Sequence, residues 1–229
     1  MNRLRTIATR GDTPVLAMSI ATGALVALLI AGFEYLTDSV LLERLSHRPL
    51  WQIALAPAIG LLLATLILRW AGRGLGSATS DEFIRVYHER TPRLPLRDLP
   101  AKFLAGVATI GFGGAVGLEG PSIYMGSTTG LAVHDRFRRW LRREDVRILL
   151  TAGAAAGVAA VFKAPATGVL FALEAPYRDD VTRRALIPSL LAAATSYVTY
   201  INIIGPDSVI PFLNDPESRL GLNLIDRPL

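Results

Sequence analysis

The distribution of apolar and polar residues divides the chain into long apolar runs separated by short charged segments. The first two runs, residues 15–36 and 51–70, are each about 20 residues long. A helix of that length reaches roughly 30 Å, the thickness of the hydrocarbon core of a bilayer. Trp51 and Trp70 stand at the two ends of the second run, as is typical of side chains at the membrane interface. We therefore predict two membrane-spanning helices and no cleaved signal peptide.

Two later apolar runs are interrupted by glycine, proline and charged residues. Residues 101–133 are broken at 119–121, and residues 148–173 are broken at 163–165. Charged segments flank each run on both sides, so we predict that each enters the membrane and returns as two helices. Free backbone groups at such breaks are tolerated only where protein or water satisfies them, which indicates a polar pathway. Simple kinks between packed helices are the alternative, and residues 186–204 are the last predicted span.

Composition supports a polytopic membrane protein. Of the 229 residues, 51% are hydrophobic and 19% are charged, and the mean hydropathy is +0.39. Cysteine is absent from the sequence, which excludes disulfides and thiolate chemistry. The three histidines lie far apart in polar segments, and we expect them to be interfacial or solvated, with no metal site and no cofactor. They are His47, His88 and His134.

The net charge of +5 comes from arginines that cluster between the apolar runs. The clusters lie in residues 3–10, 85–97, 136–143 and 178–184. By the positive-inside rule all four are cytoplasmic, so we predict a multi-pass protein of the cell membrane with a cytoplasmic N-terminus. The lipid bilayer is then the expected surroundings of the chain, and nucleic acid is not an expected partner. The polar residues 206–229 are predicted to form a linker after a transmembrane domain at 1–205.

Glu119 is the most informative acid, because a carboxylate in an apolar membrane segment is costly and by default functional. The following Gly120-Pro121 predicts a helix start with proline in the first turn, where its missing N–H is harmless. Free amides at a helix N-terminus stabilise a carboxylate and would equally bind a chloride ion. Glu119 is interpreted as a tethered anion that leaves an anion site when it is protonated, and a fixed N-cap is the alternative.

Residues 74–82 combine glycine, hydroxyls and acids after the second run. This is an ordinary capping pattern and predicts Thr79 or Ser80 as the N-cap of a helix that starts at Asp81. A hydroxyl beside free amides is also a neutral anion ligand. Lys163 receives no specific role, and for Glu174 an interfacial salt bridge to the neighbouring arginines is at least as good an interpretation as a functional one.

Two sequence blocks resemble the CLC family of chloride channels and proton-coupled chloride antiporters. GLEGPS, at residues 117–122, is similar to the family's G-(R/K)-E-G-P motif, with Leu118 at the usual basic position. TAGAAAGVAAVFKAPATGVLFALE, at residues 151–174, is similar to a second family block, and LPAK at 99–102 has a fitting distance to the first. The resemblance covers about residues 15–204 and implies an all-α polytopic membrane fold with broken, re-entrant helices, the first of two inverted repeats.

The same resemblance implies site residues and partners. Glu119 corresponds to the gating glutamate, chloride is the transported ion, the protein is a homodimer with one pore per subunit, and it is not an enzyme. Ser77 is the best match to the central serine, with Leu75 or Thr79 as alternatives. Glu174 and Ala175 mark the internal end of the pathway. The residues expected to bind chloride are Gly76, Ser77, Gly117, Leu118, Gly120 and Pro121.

Ala175 decides the predicted transport mode. Antiporters of the family carry a proton-transfer glutamate at this position, and alanine cannot relay a proton. We therefore predict a passive voltage- or pH-gated chloride channel, in which amides, hydroxyls and dipoles select anions without a full positive charge. A proton-coupled chloride antiporter and a non-conducting half-length membrane scaffold are the alternatives. Because the resemblance stops after the first repeat, the sequence is expected to be an N-terminal half or to be completed by a separate polypeptide.

Overall fold

The computed structural model describes residues 13–176 and 183–205, and all regular structure within these ranges is helical. The predicted all-α fold is confirmed. The predicted linker at 206–229 and the N-terminal arginines lie outside the described residues. The helices are α1 (Thr13–Ser46), α2 (Leu50–Ala71), α3 (Ser80–His88), α4 (Leu99–Gly111), α5 (Glu119–Phe137), α6 (Asp145–Phe162), α7 (Pro165–Glu174) and α8 (Arg183–Ile204).

Within the described part of the chain, α1, α2, α6 and α8 are long and apolar enough to cross a membrane. The multi-pass membrane architecture is thereby confirmed. Helix α1 is longer than predicted, because it continues beyond residue 36 through a π-helical segment, Tyr35–Leu42, to Ser46. The polar residues that end the apolar run do not end the helix, since the Thr37 hydroxyl donates back to the carbonyl of Phe33 at 3.1 Å.

Both predicted breaks are present. Helix α4 ends at Gly111 and α5 begins at Glu119, and only two residues separate α6 from α7. In the second break Lys163 adopts the left-handed conformation, with φ of 51°, and directs the chain back into the bundle. Each interrupted run therefore forms a pair of helices, as expected.

Helix α6 lies at the centre of the bundle and packs against α1, α5, α7 and α8. Its contact with α5 is a seam of small residues. A Cβ atom on Gly126 would overlap the carbonyl of Gly153, and one on Gly130 would overlap the carbonyl of Leu149. The two backbones are thus in direct contact, as in other closely packed membrane helices. Helix α2 packs much less closely. Only 17% of its apolar stretch is buried, compared with 83% for α6.

The polar connections gather at one end of the bundle. Arg147, in the first turn of α6, donates to the carbonyls of Tyr87 and Glu89 at 3.0 and 2.8 Å. Arg184, at the start of α8, pairs with Glu144 at 2.7 Å. These contacts join the connection after α3, the connection between α5 and α6, and the start of α8. The arginine-rich segments described here therefore share one face, which is what the positive-inside pattern requires.

One histidine prediction is wrong. His134 is 9% exposed, and its Nε2 lies 3.3 Å from the carbonyl oxygen of Arg142. Helix α5 continues to Phe137, which places His134 on the inner side of its last turn. His47 and His88 are exposed, in line with the expectation. Within residues 13–176 and 183–205, no group of histidines and acids is arranged to hold a metal ion.

Candidate functional site

The site is built around the start of α5. Leu118 occupies the N-cap position and Glu119 is the first helical residue, with Pro121 in the first turn as predicted. The structure therefore places Glu119 at the first position of the helix and Leu118 at the N-cap that was the alternative for Glu119. The Glu119 side chain is half-buried, and it forms no hydrogen bond or ion pair with a residue in the described ranges. Its carboxylate thus lies at a helix end that attracts anions, without a side-chain partner in the described ranges.

The start of α3 lies against the start of α5. Thr79 is the N-cap residue of α3, but its side chain makes no capping hydrogen bond. A Cβ atom on Gly120 would overlap Thr79 Oγ1 and would stand 3.6 Å from Ser80 Oγ. Glycine at 120 therefore permits a close approach of hydroxyls to the first turn of α5. Two helix N-termini and their hydroxyls converge there, which is a chemistry suited to anions.

A cavity of about 250 Å³ adjoins this meeting point. Helices α2 and α4 form its apolar walls, and Gly76, Ser77, Thr79, Lys102 and Pro121 contribute to the rest. The structure thus brings Gly76 and Ser77 to the same cavity as Pro121, although more than 40 residues separate them in the sequence. The cavity combines apolar walls with a few polar groups, as ligand sites commonly do.

The remaining residues predicted to bind chloride differ in which of their groups can contact an anion. Gly117 is exposed, and a Cβ added there would meet only the Glu119 nitrogen, at 3.9 Å. The Leu118 side chain packs into an apolar cluster with α1, so its backbone alone is available for a ligand. Among the hydroxyl candidates, Ser77 lines the cavity, whereas Thr79 lines it and also contacts Gly120. Leu75 is not among the lining residues.

Lys102 is a functional candidate that the sequence reasoning missed. It is 7% exposed, and its ammonium group donates to the Ala78 carbonyl and the Glu82 carboxylate. The same group lies 4.4 Å from the ring centroid of Tyr124. A full positive charge therefore does line the cavity, contrary to expectation, but Glu82 balances it. A lone lysine in the apolar run 101–133 was the signal that pointed to it.

A second acid on a membrane-embedded helix has a defined partner. Glu34 of α1 accepts a hydrogen bond from the hydroxyl of Tyr200 of α8. The ammonium group of Lys163, in the turn between α6 and α7, lies 5.9 Å from the Tyr200 ring centroid and attracts the carboxylate. Asp38, one turn further along α1, repels it. This network joins α1, α8 and the α6–α7 turn.

The predicted internal end of the pathway lies at the C-terminal end of α7. Glu174 is the last residue of the helix and is exposed, and Ala175 follows and packs against the main core. Glu174 forms no salt bridge with another residue in the described part of the chain, where Arg184 pairs with Glu144 instead. Arg178 lies outside the described residues. The length of α7, about 15 Å, separates this end from Lys163.

The chain is similar to several transport proteins. It is 34% identical to the H(+)/Cl(-) exchange transporter ClcA of Vibrio cholerae serotype O1, covering 92% of this chain and 48% of that protein. The ClcA of Yersinia pseudotuberculosis serotype IB is 33% identical over 75% of this chain and 38% of its own length. This chain thus spans about half the length, or less, of the curated relatives it matches.

Solved structures of transport proteins are also similar to this chain. A slow cyanobacterial Cl-/H+ antiporter matches 86% of this chain and 48% of its own, with a TM-score of 0.70 and 27% identity. A CLC-type fluoride/proton antiporter matches 93% of this chain and 54% of its own, with a TM-score of 0.69 and 28% identity. The family described as voltage gated chloride channel matches residues 59–224, more than half of the sequence. The chain therefore belongs to this family, the CLC family that its motifs resemble.

Proposed function

We propose that this chain is part of a membrane protein that exchanges chloride for protons. The relatives and structures described above are exchange transporters or antiporters by name, and they favour exchange over the passive channel predicted from Ala175. The activity is a proposal for the transport-competent protein that contains this chain, since those relatives are about twice as long. The relatives are transporters and not enzymes.

The observation that carries the proposal is the convergence of two helix starts on an unpaired acid. The amides at the start of α5, from Gly117 to Gly120, and the hydroxyls of Thr79 and Ser77 supply ligands for a partly dehydrated chloride ion. Dipoles and hydroxyls bind an anion without the strength of an exposed full charge, since Glu82 balances Lys102. Binding of that strength allows release, which transport requires.

Glu119 is the gating group. The ionised carboxylate and a chloride ion compete for the same amides, so an ionised Glu119 excludes the anion. Protonation removes the negative charge, the side chain leaves the site, and chloride enters. One proton bound at this carboxyl therefore corresponds to one anion site opened, which couples the two ions through a single side chain.

Ala175 keeps a passive chloride channel as the second candidate, because it cannot carry a proton away from Glu119 toward the end of α7. The two candidates differ in their response to a chloride gradient. We expect such a gradient to drive proton movement in liposomes that contain the transport-competent protein. A reversal potential that follows chloride alone, with no proton movement, would establish the channel and overturn exchange.

The third alternative, a non-conducting half-length scaffold, needs a separate measurement on the chain alone. Chloride efflux from liposomes that contain only this chain, above the rate of protein-free liposomes, would contradict it. We further propose a homodimer and a cytoplasmic N-terminus. The shared basic face of the bundle supports the orientation, and accessibility of a cysteine introduced at Arg139, in a chain without native cysteine, tests it.

A further inference from the structure

The end of α5 and the turn before α6 concentrate positive charge on an exposed surface. Five arginines lie within eight residues there, and all five are exposed. None of their side chains pairs with an acid in the described ranges, since the nearby Glu144 is taken by Arg184. We call residues 136–143 the basic turn. Its arginines are Arg136, Arg138, Arg139, Arg142 and Arg143.

The basic turn also presents an aromatic side chain. Trp140 is 66% exposed and stacks on Phe137, with ring centroids 5.7 Å apart and an angle of 23° between the rings. The guanidinium of Arg136 lies 5.6 Å from the Phe137 ring centroid. The candidate span α6 begins two residues after the turn. An exposed indole beside arginines at the end of a span is typical of a segment in the lipid headgroup layer.

The backbone of the basic turn is held in place by the protein itself. The amide of Arg142 donates to Asp145 Oδ2 at 2.8 Å, and Asp145 is 5% exposed. Leu141 is buried in the main core beneath the turn. His134 Nε2 lies 3.3 Å from the carbonyl oxygen of Arg142. A ligand therefore has to order only the exposed side chains, which lowers the entropic cost of binding.

We propose that the basic turn is a binding surface for the headgroups of anionic phospholipids. The arginines contact the lipid phosphates, and Trp140 inserts beside them at the level of the glycerol backbone. A free anion in solution offers nothing to the exposed indole, so a lipid fits the surface better. Each arginine near an anionic membrane surface contributes about a fivefold gain in association. This proposal depends only on the position of α6 in a membrane and not on the transport mode.

The chain has three tryptophans, so Trp51→Phe with Trp70→Phe leaves Trp140 as the reporter. Both replaced residues lie exposed at the ends of α2. In mixed bilayers, brominated phosphatidylglycerol should quench Trp140 fluorescence more strongly than brominated phosphatidylcholine at the same mole fraction. We define the preference as the association of phosphatidylglycerol relative to phosphatidylcholine. Adding Arg139→Gln and Arg142→Gln should lower this ratio about 25-fold, because each arginine contributes about fivefold.

The matched control is Arg90→Gln with Arg93→Gln, which removes the same charge from two exposed arginines on the neighbouring connection. It should leave the preference unchanged. Equal quenching by both lipids, or an equal loss in the control, would overturn the proposal. Loss of quenching in inorganic phosphate, at an ionic strength matched with chloride, would show a site for soluble anions instead. If the double variant does not insert, Arg139→Gln alone should still give about a fivefold loss.

Discussion

Glu34 and Glu119 are both acids within apolar runs of the sequence, but their surroundings differ. Glu34 lies within α1 and is held by the Tyr200 hydroxyl, with Lys163 close by. Glu119 stands at the first position of α5 and has no partner in the described part of the chain. An acid within an apolar run therefore has two possible uses in this molecule. The paired acid joins α1 to α8, and the unpaired one is the acid proposed to move.

The location within the helix explains the difference. A carboxylate in mid-helix finds all neighbouring amides already bonded, so it needs a side-chain partner from another helix. A carboxylate at a helix start lies beside amides that lack a partner within the helix. Such a carboxylate needs no neighbouring side chain to be stable there. The same amides can donate to another anion when the carboxylate leaves.

The largest expected effect comes from Glu119→Gln. The proposed gate opens when Glu119 binds a proton, so anion flux in the unchanged protein should fall steeply as the pH rises from about 5.5 to about 7.5. The variant mimics the protonated state, and its flux should vary by less than about twofold over that range. Chloride efflux from liposomes at several pH values, with the transport-competent protein, measures this.

The comparison supplies the control, because Glu34→Gln removes an equal charge from the paired acid. That variant should keep the steep pH dependence. If Glu34→Gln abolishes the dependence and Glu119→Gln leaves it, the roles assigned to the two acids are reversed.

The next largest effect is expected at the partner of Glu34. Tyr200 is 1% exposed, and Tyr200→Phe leaves the carboxylate without its donor, at a cost of about 1.5 to 3 kcal/mol in unfolding free energy. Tyr197→Phe makes the same change elsewhere on α8 and should cost little, since no hydrogen bond joins Tyr197 to a described residue. In double-mutant cycles, Tyr200 should show a coupling free energy with Glu34, whereas its coupling free energy with Glu119 should be less than about 0.5 kcal/mol.

A smaller effect is expected at the contact between Gly120, the residue after Glu119, and Thr79. In Gly120→Ala the new methyl group overlaps Thr79 Oγ1, and the Thr79 side chain has to rotate away, which should destabilise the protein by about 1 kcal/mol. Adding Thr79→Ala should restore most of that loss, because the remaining contacts, with the residue 79 Cβ at 3.5 Å and Ser80 Oγ at 3.6 Å, are of ordinary length. Gly32→Ala is the control, with nothing within 4 Å of its Cβ. Thermal unfolding measures all three, and a failed rescue would contradict the close contact.

The smallest effect separates the two hydroxyl candidates. Loss of one neutral hydrogen bond costs about 1 kcal/mol, so Thr79→Ala should weaken chloride binding about fivefold. Ser77→Ala should weaken it less, because Ser77 lines the cavity without contacting Gly120. Calorimetric titration with chloride distinguishes them. A larger loss at Ser77 would restore the assignment made from the motif.

Much of the fold could be predicted from local patterns. Glycine and proline at 119–121 and 163–165 marked both breaks, since these residues remove hydrogen bonds or helical preference whatever the surroundings. The motifs at 117–122 and 151–174 identified the family, which the comparisons confirm. The extension of α1 past residue 36 was missed because polar side chains end an apolar run without ending a helix.

The contacts between distant residues were beyond local patterns. Tyr200 and Glu34 are 166 positions apart, and no periodicity in either helix relates them. The approach of Thr79 to Gly120 depends on how α3 and α5 pack, which the capping pattern of residues 74–82 does not specify. The burial of His134 likewise depends on a tertiary contact. The site residues therefore remain predictions for experiment, although Gly76, Ser77 and Pro121 line one cavity.

The seam between α5 and α6 limits how the proposed gate at Glu119 can move. It begins one turn after Glu119, where a Cβ on Gly157 would overlap the carbonyl of Ser122, and it continues to Gly130. Helices whose backbones touch have no compressible side-chain layer between them, so α5 cannot tilt or slide without losing that contact. Under the proposed gating role, opening would be a rotation of the Glu119 side chain on a timescale of about nanoseconds, and not a helix rearrangement of about microseconds to milliseconds. The rate of opening should therefore depend on how fast a proton reaches Glu119, and not on a movement of helices.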